Sequence, residues 1–320
     1  QFTSVANVTY TSIYQRFLDG IKVFNFDLSW ILTVGCVVDV DFHDRLLFAT
    51  IGPIVMVVIL GVTYVIAALQ NRESDEGVAN VRQKHVSMVL LLTFLVYSSA
   101  SSLSLQTFAC EKLDDGQIYL RADYRILCDS PKHEAFMIYA SFMTILYTLG
   151  IPVLYASLMF KERRVLAKNG SEKDESNSSK DARSNNAHVR STSNLWKPYK
   201  PKRFYYEVIE CGRRVLLTGV IVFIYPDTAA QVAVTLMIAF TFAMVSEGLD
   251  PYASKWDAWV NRMGHVVVVV SVFSALLLKV DISEERSISQ SMFEIILVFV
   301  HACMIVAVLG EALVLACSVR

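Results

Sequence analysis

The sequence predicts an all-α fold, a polytopic transmembrane helix bundle of about seven spans. Three observations carry that expectation. Hydrophobic residues make up 54% of the 320-residue chain and charged residues only 18%, against roughly 25% charged in an ordinary soluble domain. Mean hydropathy is +0.44. The apolar residues also come in long blocks, such as 46–70, 134–160 and 264–280, and blocks of ~17–25 residues match the hydrocarbon thickness of a bilayer. These features argue against a soluble enzyme. A nucleic-acid binder is also excluded, because 29 basic against 30 acidic residues gives a formal charge of −1, with no cationic excess to neutralise phosphates.

Residues 1–45 read as an extracellular or interfacial segment. It begins at Gln1 rather than Met, as a fragment or a processed chain would, and carries the sequon Asn7-Val8-Thr9 as a candidate glycosylation site. Between Tyr10 and Val38, Arg16, Asp19 and Lys22 alternate with aromatics, a pattern that suits a helix lying in the membrane interface. Asp41-Phe42-His43-Asp44 reads as a solvated charged rim in preference to a metal site.

The first span is 46–70, with a candidate break at Gly52-Pro53. The second, 86–108, carries Ser98, Ser99, Ser101, Ser102 and Ser104, small residues that permit close helix packing. An outer loop at 109–133 holds Cys110 and Cys128, whose separation of 128 − 110 = 18 residues is one the chain-entropy picture credits with about 3 kcal/mol when bridged. Cys36 is an alternative partner for either. The third span, 134–160, contains a second candidate break at Gly150-Ile151-Pro152, and spans 46–160 form a three-span half. Residues 161–203 are expected to form a disordered cytoplasmic loop, since its stretch 168–193 is too poor in apolar residues to repay its ordering entropy; Arg183-Ser184 and Arg190-Ser191 are phosphorylation candidates.

A four-span half, 204–320, follows, with spans at 208–225, 228–247, 264–280 and 291–316. The first is interrupted near its start by Glu210, Arg213 and Arg214. With Glu207 they form a cluster whose spacings of three and four set opposite charges side by side on a helix. Preceding it, residues 199–206 mix cations and aromatics at what would be headgroup level. The cluster therefore reads as membrane-interface or gating chemistry. In the last span Glu294, His301 and Glu311 fall within one half of a helix at ~100° per residue. Ionisable groups inside a membrane are costly, so this stripe is the candidate permeation path; helix packing is the competing account.

Orientation follows from Lys and Arg. With the C-terminal end of the first span inside, the inner segments hold 3 + 14 + 2 + 1 = 20 and the outer loops 4 + 2 = 6. The N-terminus is therefore expected outside and the C-terminus in the cytoplasm, with the plasma membrane as the expected setting. Cys36, Cys110 and Cys128 then share the oxidising side. No catalytic signature is present, and neither a cofactor nor a metal is expected.

Several segments read together: Phe108-Ala109-Cys110, Tyr119-Leu120-Arg121-Ala122-Asp123-Tyr124, Cys128-Asp129-Ser130 with His133, Gly150-Ile151-Pro152-Val153-Leu154-Tyr155, Tyr206-Glu207-Val208-Ile209-Glu210 with Arg213-Arg214, Gln231, and Asp250-Pro251-Tyr252. Their order resembles the C-terminal multi-span membrane region of large algal and oomycete surface proteins, which carry cysteine-rich, ephrin-receptor-like or EGF-like ectodomains. That region is itself similar to transient-receptor-potential-like proteins. One departure is Ile31 after Trp30, where the family tends to have Pro. The resemblance implies a channel-like or transport-like membrane region of a larger surface protein. The alternative is a surface receptor or adhesion protein whose spans anchor or relay an external module. The implied partners are the lipid bilayer, ions and further copies of the chain.

Overall fold

The structure, a computed structural model, describes residues 40–72, 74–166, 191–280 and 297–310, and singly Arg16, Val189 and Ile295. Asn7, Cys36, Glu294, Glu311 and the stretch 167–188 lie outside the described residues. The described chain divides into two compact units, with the division inside one helix between Val215 and Leu216.

In the unit that ends at Val215, helix α1 (Phe42–Gln70) is opened by a capping box. The Asp41 carboxylate accepts from the Asp44 amide at 2.9 Å, and the Asp44 carboxylate accepts from the Asp41 amide at 3.2 Å, so two otherwise orphaned N–H groups are satisfied. The helix runs through Pro53 without interruption. Ser74 caps α2 (Asp75–Gln106), accepting from the Gly77 amide at 3.2 Å. Thus α2 begins before the apolar run does, because the cap and not hydropathy sets its start. At ~1.5 Å per residue, α2's 32 residues extend about 48 Å, well beyond a hydrocarbon layer of about 30 Å.

A small antiparallel sheet follows, ordered β1 (Cys110–Lys112), β2 (Ile118–Leu120), β3 (Asp123–Leu127). Cys110 pairs with Leu120, and β2 is irregular between Tyr119 and Leu120. The β1–β2 turn uses Gly116 at φ +82°, open to glycine at no steric cost. Asp115 braces it, accepting from the Gln117 amide at 2.9 Å and from the Tyr119 hydroxyl at 2.8 Å. Leu120, Ile126 and Cys128 pack with Phe42 in one buried cluster. Sequence reading treats this stretch as a loop; strands of three to five residues between turns are too short to announce themselves.

Helix α3 (Pro131–Thr144) starts with Pro at its first position and Ser130 as cap. It passes into a π-helical segment, Ile145–Gly150, and then α4 (Ile151–Lys161). Pro152 has no N–H and its ring crowds the carbonyl four residues back; here the preceding turn is π-helical, a widening that accommodates the ring, whereas α1 carries Pro53 within a regular helix. Two short helices, α5 (Arg163–Leu166) and α6 (Ser193–Trp196), follow. The expected disordered loop, 161–203, is drawn too wide: α5 and α6 lie within it, Ser191, Thr192, Leu195 and Tyr199 are buried, and Asn194 Nδ2 donates to Ser87 Oγ of α2 at 2.8 Å. The apolar anchors Leu195 and Tyr199 draw their polar neighbours down with them.

Helix α7 (Tyr206–Thr218) closes this unit. At 13 residues it measures about 20 Å, too short to cross a bilayer. Gly219 follows it, then a single 3₁₀ turn, Val220–Phe223, and Tyr225 and Asp227 at positive φ. The break at Gly219 means that no single continuous helix covers the expected span at 208–225.

In the second unit, Thr228 caps α8 (Ala229–Leu249), and Ser254 caps α9 (Lys255–Lys279). These two helices pack through Val232, Val272 and Ala275. Gln231 is fully buried, its Nε2 donating to the Ile221 carbonyl at 2.9 Å and its Oε1 accepting from the Asp227 amide at 3.2 Å. Helix α10 (Leu297–Gly310) is apolar but short, and Gly264 of α9 leaves room for Met304 beside it. Among the described residues, five helices are long and apolar enough to cross a membrane: Phe42–Gln70, Glu76–Gln106, Pro131–Lys161, Ala229–Leu249 and Lys255–Lys279. The expected count of seven is not reached.

Candidate functional site

Charges concentrate on α7. Arg213 grips the Glu210 carboxylate with Nε at 3.0 and 2.9 Å and with Nη2, and Arg214 Nε stands 3.6 Å from the same carboxylate. The Arg214 guanidinium also lies over the Phe94 ring of α2, 4.2 Å from its centroid, a cation–π contact. Glu207 and Glu210 are only 5% and 7% exposed. Two carboxylates and two guanidiniums balance, which is the condition under which buried charge persists. Glu207 is held from the other side by the Tyr199 hydroxyl, which donates to Oε2 at 2.7 Å. Burial pushes the Glu207 carboxyl up, while Arg214 and the Tyr199 hydrogen bond pull the other way and do not overcome it.

Hydroxyls tie the helices of this unit together. Tyr97 of α2 donates to the Cys211 carbonyl of α7 at 3.2 Å. The hydroxyls of Tyr155 and Thr93 meet at 2.8 Å, those of Tyr139 and Thr50 at 2.5 Å, and Tyr147 donates to the Thr50 carbonyl at 2.6 Å. Tyr139, Tyr147 and Tyr155 recur at intervals of eight, about two helical turns, on the segment that contains the π turn. The pattern is visible in the sequence, yet sequence reading passes over it because each tyrosine sits among other apolar residues.

At the start of α1 is a second polar group. Lys132 Nζ donates to Asp41 Oδ2 at 2.9 Å. Burial works to raise the Asp41 carboxyl, but the Lys132 ammonium and the Asp44 amide outweigh it and hold it at about 2. Arg125 clamps Asp123 through Nε and Nη2, each at 2.8 Å, and keeps that carboxyl below its usual range. His43 is 1% exposed and stacks on Phe136 at 4.1 Å, so the reading of residues 41–44 as a solvated rim fails at His43. Its Nε2 lies 3.1 Å from Nδ1 of the buried His133.

The structure joins Cys110 and Cys128 in a disulfide, with Cα atoms 6.4 Å apart. His133 lies within 4.8 Å of both sulfurs, but sulfurs bonded to one another offer no thiolate to a metal. In α10, His301 Nδ1 donates to the Leu297 carbonyl one turn earlier, at 2.8 Å.

An arrangement of long apolar helices enclosing paired charge invites comparison with membrane channels. Residues 42–319 match the model of the transient receptor potential (TRP) ion channel family. The chain belongs to the TRP ion channel family. No curated protein and no solved structure matches it. The match begins at the first residue of α1 and takes in both units, so the α7 cluster, the tyrosines and the histidine pair fall within the TRP region, with the capping residue Asp41 just before it. Of the residues singled out in the sequence, Glu207, Glu210, Arg213 and Arg214 come together on one helix of the TRP chain. Pro53 and Pro152 lie on separate helices, and His301 is the described member of the last-span stripe. The meeting of His43 with His133 and the hydroxyl contacts of the three tyrosines are what sequence reading missed.

Proposed function

We propose that this chain is the ion-conducting membrane region of a larger surface protein in the plasma membrane, with its N-terminus outside and its C-terminus in the cytoplasm. The observation that carries the reading is the α7 cluster. Glu210 is buried and gripped by two arginines, one of which rests on Phe94 of α2, inside a chain of an ion-channel family. Charges set into an apolar bundle respond to the membrane potential or to lipid headgroups, and α7 leads directly into the second half of the chain. On this reading the cluster is the gating element. The last span's Glu294, His301 and Glu311 line the path, and several copies assemble around it. Asn7 is glycosylated on the outer face, and 161–203 is the cytoplasmic segment between the three-span half and the rest.

The full chain in planar bilayers or voltage-clamped cells tests this. Currents are expected, with Arg214→Gln shifting their activation and His301→Phe reducing conductance without loss of protein at the surface. Absence of any current from correctly folded, surface-expressed protein overturns the reading. Unchanged conductance in His301→Phe removes His301 from the path.

A further inference from the structure

The meeting of His43 and His133 joins three helix ends. Both rings are buried, 1% and 0% exposed. His133 Nε2 lies 3.1 Å from the Thr107 carbonyl at the end of α2; a carbonyl only accepts, so this nitrogen carries a proton. His133 Nδ1 and His43 Nε2, 3.1 Å apart, share a second. On the far side of His43, Nδ1 faces Asp41 Oδ2 at 3.7 Å, buried and without a hydrogen-bond partner among the described residues. Joining Asp41, His43, His133 and Thr107 into one chain requires three N–H groups. Two neutral imidazoles supply two.

We propose that the His43–His133 pair is a proton-binding site, taking up one proton at His43 Nδ1 with Asp41 as its counter-ion. The proton comes from water and adds to a ring lone pair, so the site's charge rises by one. The charged groups around it are Asp41, Asp44 and Arg45 at the start of α1, Lys132 and Glu134 at the start of α3, and Asp123 and Arg125 on β3; α2 contributes the Thr107 carbonyl. Burial and the Lys132 ammonium oppose the third proton, and the Asp41 carboxylate favours it. Occupancy draws Asp41 from Lys132 towards His43, so the proton ties the cap of α1 to α3 and to the end of α2. The site goes beyond the channel reading. Only its assignment to the outer face rests on the proposed orientation.

Nitrogen-15 spectra of histidine-labelled full-length protein in lipid vesicles, from pH 8 to pH 5, decide the matter. The two rings are identified by nitrogen–nitrogen contact across their shared hydrogen bond. One ring of the pair is expected to become doubly protonated while the other keeps a single proton. Asp41→Asn retains a capping oxygen and is expected to lower the midpoint by at least about one pH unit, a tenfold higher proton concentration. Two rings that stay singly protonated at pH 5, or a midpoint unmoved in Asp41→Asn, overturn the proposal. This titration needs no current, so it stands or falls separately from conduction.

Discussion

Asp41 does two jobs with one carboxylate, capping α1 through Asp44 and pairing with Lys132. Its pKa of about 2, against 3.8 unperturbed, makes this stabilisation complete above about pH 4 and lost as pH falls through about 2. Because Lys132 is mostly exposed, screening reduces the effect to about 1–2 kcal/mol. Thermal unfolding in detergent should therefore show Asp41→Ala losing stability at pH 7 and converging with wild type near pH 2. Lys132→Met should cost less than Asp41→Ala, since it spares the cap. On α7 the carboxylates differ. Glu207→Gln preserves shape in a site where burial already disfavours charge, and should change stability by less than about 1 kcal/mol. Arg213→Leu strands Glu210 without its strongest partner and should cost about 2–4 kcal/mol by denaturant unfolding. The pairing of Glu210 with Arg213 and Arg214 is legible from spacing alone. The burial of His43 and His133 is not, because it depends on residues 90 positions apart meeting in space.

Helices with long apolar runs announce themselves, and α1, α8 and the α3–α4 pair lie close to where hydropathy sets them. Ends are another matter: Ser74 and Ser254 start α2 and α9 well outside the apolar blocks, because capping chemistry and not transfer free energy decides a helix terminus. The fourth segment is not one continuous helix for a related reason, since average hydropathy does not register the break at Gly219. The π segment before Pro152 gives a test at this scale. Pro152→Ala restores a donor and removes the clash, so amide exchange across residues 145–152 should slow at least several-fold, with the chain more stable by up to about 1 kcal/mol. The disulfide gives another. Replacing Cys110 and Cys128 together with Ser should cost about 2–5 kcal/mol, and peptide mapping without reductant should recover the two cysteines linked.

Across the whole molecule the fold class was legible and the count of spans was not. Bulk composition reports the solvent a chain prefers, while the continuity of each helix depends on local breaks such as Gly219. Sidedness is checked by labelling: in intact cells Asp114→Cys is expected to react with a membrane-impermeant thiol reagent and Ser184→Cys to stay unreacted, and the reverse pattern inverts the proposed orientation. The Cys110–Cys128 bridge also bears on how the protein is made. Cys110 follows α2, but its partner precedes α3, so the α1–α2 hairpin leaves the ribosome with an open thiol and an unfinished sheet. Domains assemble from the N-terminus during synthesis, and here the first covalent closure has to wait for Cys128. Until then Phe42 and Leu120 lack the lid that buries them, which makes that interval the time when a nascent chain is open to mispairing and to quality control.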